Sequence, residues 1–287
     1  MKTAHENYAR MLRQDLLFRA EKYVTSIGLS PHIYRSLGKV PTVLFRQFKS
    51  DGIDCHGNFH PESYAVINPR SEWASRLGKP HSGKHRSLSE ADAALAMEMD
   101  SCTSSDALAM NIFCHPSSTT NQQLARLFGF EHLPDPDFGF KAKLPFVKGG
   151  TEPRSTEIDL YLHSPNHTVL AECKLTESDF TSKPIAGVER YAAFAETFDA
   201  ERLPRKEGHF LHYQLIRNVL AAVHYNASFL LLCDQRRPDL IAAFGETISA
   251  IRDKQLQHRC AVVTWQQIAV TTPSSLKDFL GEKYGIE

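Results

Sequence analysis

No apolar run in the chain approaches the roughly 20 residues needed to cross a bilayer, so a membrane partner is not expected. The first residues, MKTAHENYARMLRQDLLFRAEKY, carry charge throughout and lack the apolar core of a secretory signal, which makes the cytoplasm the expected compartment. C-x-x-C pairs are missing as well. The six cysteines are scattered (Cys55, Cys102, Cys114, Cys173, Cys233, Cys260). Three of them, Cys173, Cys233 and Cys260, lie in apolar strand-like runs, where a reduced thiol behaves as a small hydrophobe, and disulfides are not expected. Neither charge is in excess, with 33 Lys and Arg against 33 Asp and Glu. That removes the global basic signal of an architectural DNA-binding protein, while leaving open backbone binding through local charge. G-x-x-x-x-G-K-[ST] does not occur, which excludes a P-loop ATPase, and Gly149-Gly150 is expected to be a turn. There is no internal repeat.

What remains is an ordinary globular composition, 42% apolar and 23% charged over 287 residues, enough to bury a full core. Residues 5 to 26 predict an amphipathic helix with Tyr8, Leu12, Leu16 and Ala20 at helical spacing. From Gly28 to Gly83, glycine and proline punctuate short apolar runs such as Val40 to Phe45 and Tyr64 to Ile67, whose strand or loop character stays open. Gly78 to Ser87 reads as an exposed linker. Ser89 can cap a helix through Met99, Ser104 or Ser105 another through Phe113, and Asn121 to Phe128 forms a third, ended by Gly129. Phe138 to Val147 is a first strand, with Pro145 marking an edge or an early end. Glu157 to Leu162 and Thr168 to Lys174 follow as strands. A helix from Gly208 to Tyr225, a strand from Ala227 to Cys233, a helix from Pro238 to Arg252 and a strand from Ala261 to Trp265 complete the chain. The alternation predicts an α/β domain with helices covering a mixed sheet.

Two stretches are locally basic: Arg70, Arg76, Lys79, Lys84 and Arg86 against Glu72, and Lys141, Lys143, Lys148 and Arg154 against Glu152. Solvated loops and phosphate-binding surfaces fit them equally. Fourteen histidines raise the question of zinc. His56 and His60 beside Cys55, and His81 with His85, have ligand-like spacing, but no second pair follows at structural-zinc spacing. His209, His212 and His224 fall on the expected helix, and a zinc site is not expected.

The chemistry concentrates in the two central strands. In the second, Leu170, Glu172 and Lys174 share one face and Val169, Ala171 and Cys173 the other. A carboxylate and an ammonium therefore project side by side from an apolar strand, where charge is costly unless paired or bound to metal. In the first, strict alternation groups Ile158, Leu160 and Leu162 against Glu157, Asp159 and Tyr161. A turn centred between Pro165 and Asn166 sets Asp159 opposite Glu172, with Cβ atoms ~5 Å apart. Two carboxylates so close call for a cation, and oxygen ligands with open water positions suit Mg²⁺ or Mn²⁺. Lys174 would hold an attacking water and stabilise charge on a phosphorane-like transition state. A buried salt-bridge cluster is the competing account, weakened because a lone buried ion pair rarely stabilises a core.

Asp159, twelve intervening residues and then Glu172-Cys173-Lys174 resembles the PD-(D/E)XK nuclease superfamily, with Ile158 in place of the proline. SSDALAMNIF, ECKLTESDF and YQLIRN look like a bacterial branch of it, and the likeness covers roughly Ser87 to Val270. The resemblance implies a restriction-endonuclease-like core over residues 87–287, preceded by a helical or irregular extension over residues 1–86. It implies that Asp159 and Glu172 are metal ligands, joined by the Cys173 backbone carbonyl, and that Lys174 is the catalytic lysine. A further acid from a preceding helix would be Glu98 or Asp106, which the sequence does not separate. Gln214, with Arg217 and Asn218, resembles the helix-borne polar residues that relatives direct toward the site, though a surface role fits Gln214 as well. Glu177 is a secondary candidate that can instead cap the following loop. The implied activity is Mg²⁺- or Mn²⁺-dependent hydrolysis of nucleic acid, DNA first, by a monomer or homodimer. The alternative is a catalytically silent nucleic-acid-binding or assembly module on the same fold.

Overall fold

The computed structural model describes residues 4–29, 32–36, 40–80, 97–146, 154–177 and 179–287. They divide into two units, one of residues 9–126, 131–133 and 266–287, the other of residues 1–8, 127–130 and 134–265.

In the first unit, helix α1 (Ala4–Ser26) buries Leu12, Leu16, Ala20 and Val24, the stripe its spacing predicts, while Tyr8 at its start is exposed. Strands β1 (His32–Ser36) and β2 (Val40–Leu44) pair antiparallel. So do β3 (Gln47–Ser50) and β4 (Ile53–His56), joined through Asp51 and Gly52, both with positive φ, as a tight hairpin turn requires. Tyr64 to Ile67 is helical. It belongs to α2 (Pro61–Ile67), started by Pro61 in its first turn, and α3 (Ser71–Leu77) follows. The helix expected from Ser89 begins outside the described residues. Where it would end, Met97 bridges Pro80 and Glu98–Asp100 forms a single 3₁₀ turn, because the Asp100 carboxylate turns back to Arg46 and His56. Most of the expected linker, from residue 81 on, and Gly149-Gly150 also lie outside the described residues. Helix α4 (Ser105–Phe113) is capped by Ser104, whose hydroxyl accepts from the Ala107 amide, and all nine of its residues are buried. Helix α5 (Gln122–Leu127) comes next.

The second unit is built on a mixed five-stranded sheet. Strands β5 (Asp137–Leu144), β6 (Arg154–Ser164) and β7 (His167–Cys173) pair antiparallel in succession. Helix α6 (Tyr213–His224) leads to β8 (Ser228–Cys233), and α7 (Pro238–Ser249) precedes β9 (Cys260–Thr264). Both strands are parallel to β7, giving the order β9-β8-β7-β6-β5. β8 reads SFLLLC without alternation, as a strand covered on both faces does. Leu170, Phe229 and Leu231 from the sheet meet Leu215, Val219 and Leu240 from the helices in one core. The helix expected from Gly208 starts only at Tyr213. His209–Leu211 is spent in a small antiparallel sheet with Ser182–Pro184 and Arg205–Lys206, and His212 turns through φ +57. The architecture is an α/β restriction-endonuclease-like fold.

Candidate active site

The β6–β7 hairpin turns at Pro165 and Asn166, with Ser164↔His167 and Leu160↔Ala171 as its first and last partners. The next hydrogen-bonded pair would offer the Cys173 amide to the Ile158 carbonyl. Instead the Asp159 Oδ2 accepts that N–H at 2.8 Å, and the β6–β7 pairing ends. On its other edge β6 breaks step at the same place. The ladder with β5 passes from Phe138↔Leu160 to Phe140↔Ile158, leaving out Gly139, whose φ is +75. Strict alternation is lost there. Ile158 packs with Leu170 in the core that Tyr161 borders, and the Thr156 hydroxyl reaches Asn218 on α6 at 3.5 Å. The expected grouping of Ile158 with Leu160 and Leu162 is therefore corrected, because the irregularity at Gly139 and Asp159 shifts the phase of the strand.

Glu172 and Lys174 leave the end of β7 on the side of α6. Their side chains are 4% and 7% exposed, and Lys174 Nζ lies 2.9 Å from Glu172 Oε1. The other carboxylate oxygen accepts from Asn218 Nδ2 at 2.6 Å, and Lys174 Nζ donates to Gln214 Oε1 at 3.2 Å. Gln214 and Asn218, four apart on α6, thus hold the two charges from one helix face. Burial by itself lowers the lysine's proton affinity, but Glu172, Glu177 and Asp159 together outweigh it and hold the ammonium above the ordinary lysine value. Three carboxylates converge on this ammonium. With hard oxygen donors on Asp159 and Glu172, that arrangement fits a divalent cation.

The backbone around the pair is fixed from both sides. The Lys174 amide donates to the Leu232 carbonyl at 2.8 Å, and the Trp265 indole donates to the Lys174 carbonyl at 2.9 Å. Glu177 folds back so that its Oε2 accepts the Leu175 amide at 2.6 Å, the loop-capping role. Arg237, with no exposed surface, donates to the Leu175 and Glu177 carbonyls at 3.0 and 2.8 Å and is clamped by both oxygens of Asp239. Arg237 was not singled out from the sequence; the available signal was Arg-Pro-Asp at the start of a helix, separated by three residues from an apolar strand.

Glu98 and Asp106 belong to the other unit. Asp106 is paired there with Arg76 at 2.5 Å and Lys79 at 3.3 Å, and Glu98 with Lys79 at 3.2 Å. These contacts engage two cations of the first basic stretch, and Arg70 lies over the Trp73 ring. In the second basic stretch Lys141 pairs with Glu157. A third grouping escaped the sequence, since His60 and Glu62 meet His115 from a distant segment.

A family model described as restriction endonuclease associating with ARP matches residues 42–285. The chain belongs to this restriction-endonuclease family. The match starts well before Ser87, so the family extends into the first unit. No curated protein and no solved structure matches the chain. Membership gives a nuclease-like role, and among the described residues no helix is long and apolar enough to cross a membrane.

Proposed function

We propose that the chain is a metal-dependent nuclease that hydrolyses phosphodiester bonds, with DNA as its substrate, in restriction, repair or defence. The observation that carries this reading is the buried Glu172–Lys174 pair beside Asp159, with Glu172, Glu177 and Asp159 all acting on the one ammonium of Lys174. Asp159, Glu172 and the Cys173 carbonyl would hold Mg²⁺ or Mn²⁺. Such an ion, when bound, supplies Lewis-acid polarisation of the scissile phosphate and a lowered pKa for a coordinated water. Lys174 orients the attacking water and opposes the charge that builds on the phosphate oxygens. Gln214 and Asn218 position the ammonium and the Glu172 carboxylate. The family description also names an association with ARP, and a complex with such a partner belongs to the same proposal.

The test is incubation with linear DNA, circular DNA and RNA in Mg²⁺, Mn²⁺ or EDTA. Cleavage of DNA is expected with either ion and none in EDTA, and Lys174→Ala should lower the rate by about 10²–10³. Cleavage by Lys174→Ala at the wild-type rate would dismiss the site. Tight DNA binding with no cleavage under any condition would favour the silent-module alternative.

A further inference from the structure

The unit that holds α2 and α4 carries a second set of ligand-type side chains, chemically unlike the first. His60 immediately precedes α2, Glu62 lies in its first turn, and His115 follows α4. One donor atom from each falls within 4.8 Å of the others, and His115 Nε2 is 3.7 Å from Glu62 Oε2. His60 and His115 are only 7% and 3% exposed, yet among the described residues His60 Nδ1 and His115 Nε2 have no hydrogen-bond partner. Buried polar atoms are rarely left so, because each forfeits its bonds to water without replacement. Burial lowers the pKa of both rings, for His115 with the help of neighbouring His60 and for both against the pull of Glu62.

The frame is already fixed around them. The His60 amide donates to Asn111 Oδ1 at 2.6 Å, the Ser63 hydroxyl to the Asn111 carbonyl at 2.7 Å, and Asn111 Nδ2 to the Asn58 carbonyl at 3.0 Å. These bonds clasp the start of α2 to α4. His115 Nδ1 lies 2.8 Å from Ser117 Oγ, which can accept a hydrogen bond from Nδ1–H and leave the Nε2 lone pair as the ligand. The Ser117 amide approaches the same Nδ1 at 3.2 Å, a contact that this tautomer gives up. Glu62, with 55% of its side chain exposed, is the member free to swing inward.

We propose that His60, Glu62 and His115 form a binding site for a borderline divalent metal, Zn²⁺ first, with a fourth position open to water. Two imidazoles and one carboxylate are a donor set that zinc takes readily, whereas Mg²⁺ prefers oxygen alone. The metal would pin the start of α2 to the segment after α4.

The full chain, stripped with a chelator, is titrated with Zn²⁺ against a chromophoric competitor, and its melting temperature is followed with and without Zn²⁺. One tight equivalent and a raised melting temperature are expected. Glu62→Ala and His115→Gln should each weaken binding by roughly tenfold or more and abolish the thermal shift. Glu62 is exposed, so Glu62→Ala keeps the test valid even where His115→Gln disturbs folding. The double variant Asp159→Asn, Glu172→Gln should bind Zn²⁺ as wild type does, which separates this site from the proposed nuclease centre. The inference is overturned by a wild-type chain that binds no Zn²⁺, by Glu62→Ala binding with unchanged affinity, or by loss of binding in the double variant.

Discussion

At the scale of single residues, the candidate site is held by side chains that carry no charge themselves. Asn218 donates to Glu172 at 2.6 Å and Gln214 accepts from Lys174 at 3.2 Å, so each charged group has a neutral partner fixing its rotamer. Removing the Asn218 amide leaves Glu172 Oε2 without that donor and lets the carboxylate rotate away from its position as a proposed ligand. Asn218→Ala is therefore expected to lower DNA cleavage by about 10–100-fold and to raise the Mg²⁺ concentration needed for half-maximal rate. Cleavage rates across a Mg²⁺ titration measure both. A variant with wild-type rate and metal dependence would show that Asn218 merely fills space. The i, i+4 spacing of Gln214 and Asn218 was visible in the sequence, but which charge each one meets was not, because that depends on the rotation of α6 over β7.

At the scale of elements, the segment that follows β7 is held by the start of α7. Arg237 carries two of its carbonyls and is neutralised by Asp239, with both side chains almost wholly out of solvent. Arg237→Ala takes from the buried Asp239 carboxylate its bidentate partner and from the Leu175 and Glu177 carbonyls the guanidinium donor, at a cost of about 3–5 kcal/mol in urea unfolding. A loss below about 1 kcal/mol, the range of an exposed pair, would mean that solvent reaches this junction. The same comparison of elements explains what the sequence disclosed. Strands β7 and β8 and the turn at Pro165 are encoded locally, by apolar runs and a turn residue, and they appear where expected. The break in β6 at Asp159 is not local. It takes Gly139 on the neighbouring strand and the Cys173 amide to stabilise it, and alternation within β6 cannot report either. The late start of α6 has the same origin, since residues 209–211 are helix-compatible until Ser182–Pro184 offers a strand partner. His60 and His115 were invisible as a pair because helices α2, α3 and α4 separate them in sequence.

At the scale of the whole molecule, one buried lysine couples stability to pH. Lys283, on the C-terminal helix Ser274–Tyr284, is 1% exposed. It donates to the backbone and side-chain oxygens of Asn58, 225 residues away in sequence, and lies 3.2 Å from the Tyr284 hydroxyl. Burial drives its pKa well below the ordinary lysine value, opposed only weakly by the Cys102 thiol, and His56 is the other titratable neighbour that feels it. The Phe45 and Phe279 rings, 4.5 and 5.0 Å from Nζ, favour the charged form but replace little of the lost hydration. The unfolded chain keeps this proton up to about pH 10.4, whereas the folded chain has given it up at lower pH. Between those two values the unfolded state binds one more proton. Stability contributed by Lys283 is then complete above the unfolded pKa and is lost as pH falls toward the folded one, by up to about 1.4 kcal/mol per pH unit. The urea midpoint of the wild-type chain should rise with pH relative to that of Lys283→Met, which is close in volume, has no proton to lose and should be at least as stable at neutral pH. The comparison isolates Lys283 from the cysteines and tyrosines that titrate in the same range, because both chains carry them. If both chains instead show the same slope, the ammonium is charged inside its aromatic ring and the attraction of those rings outweighs the cost of burial.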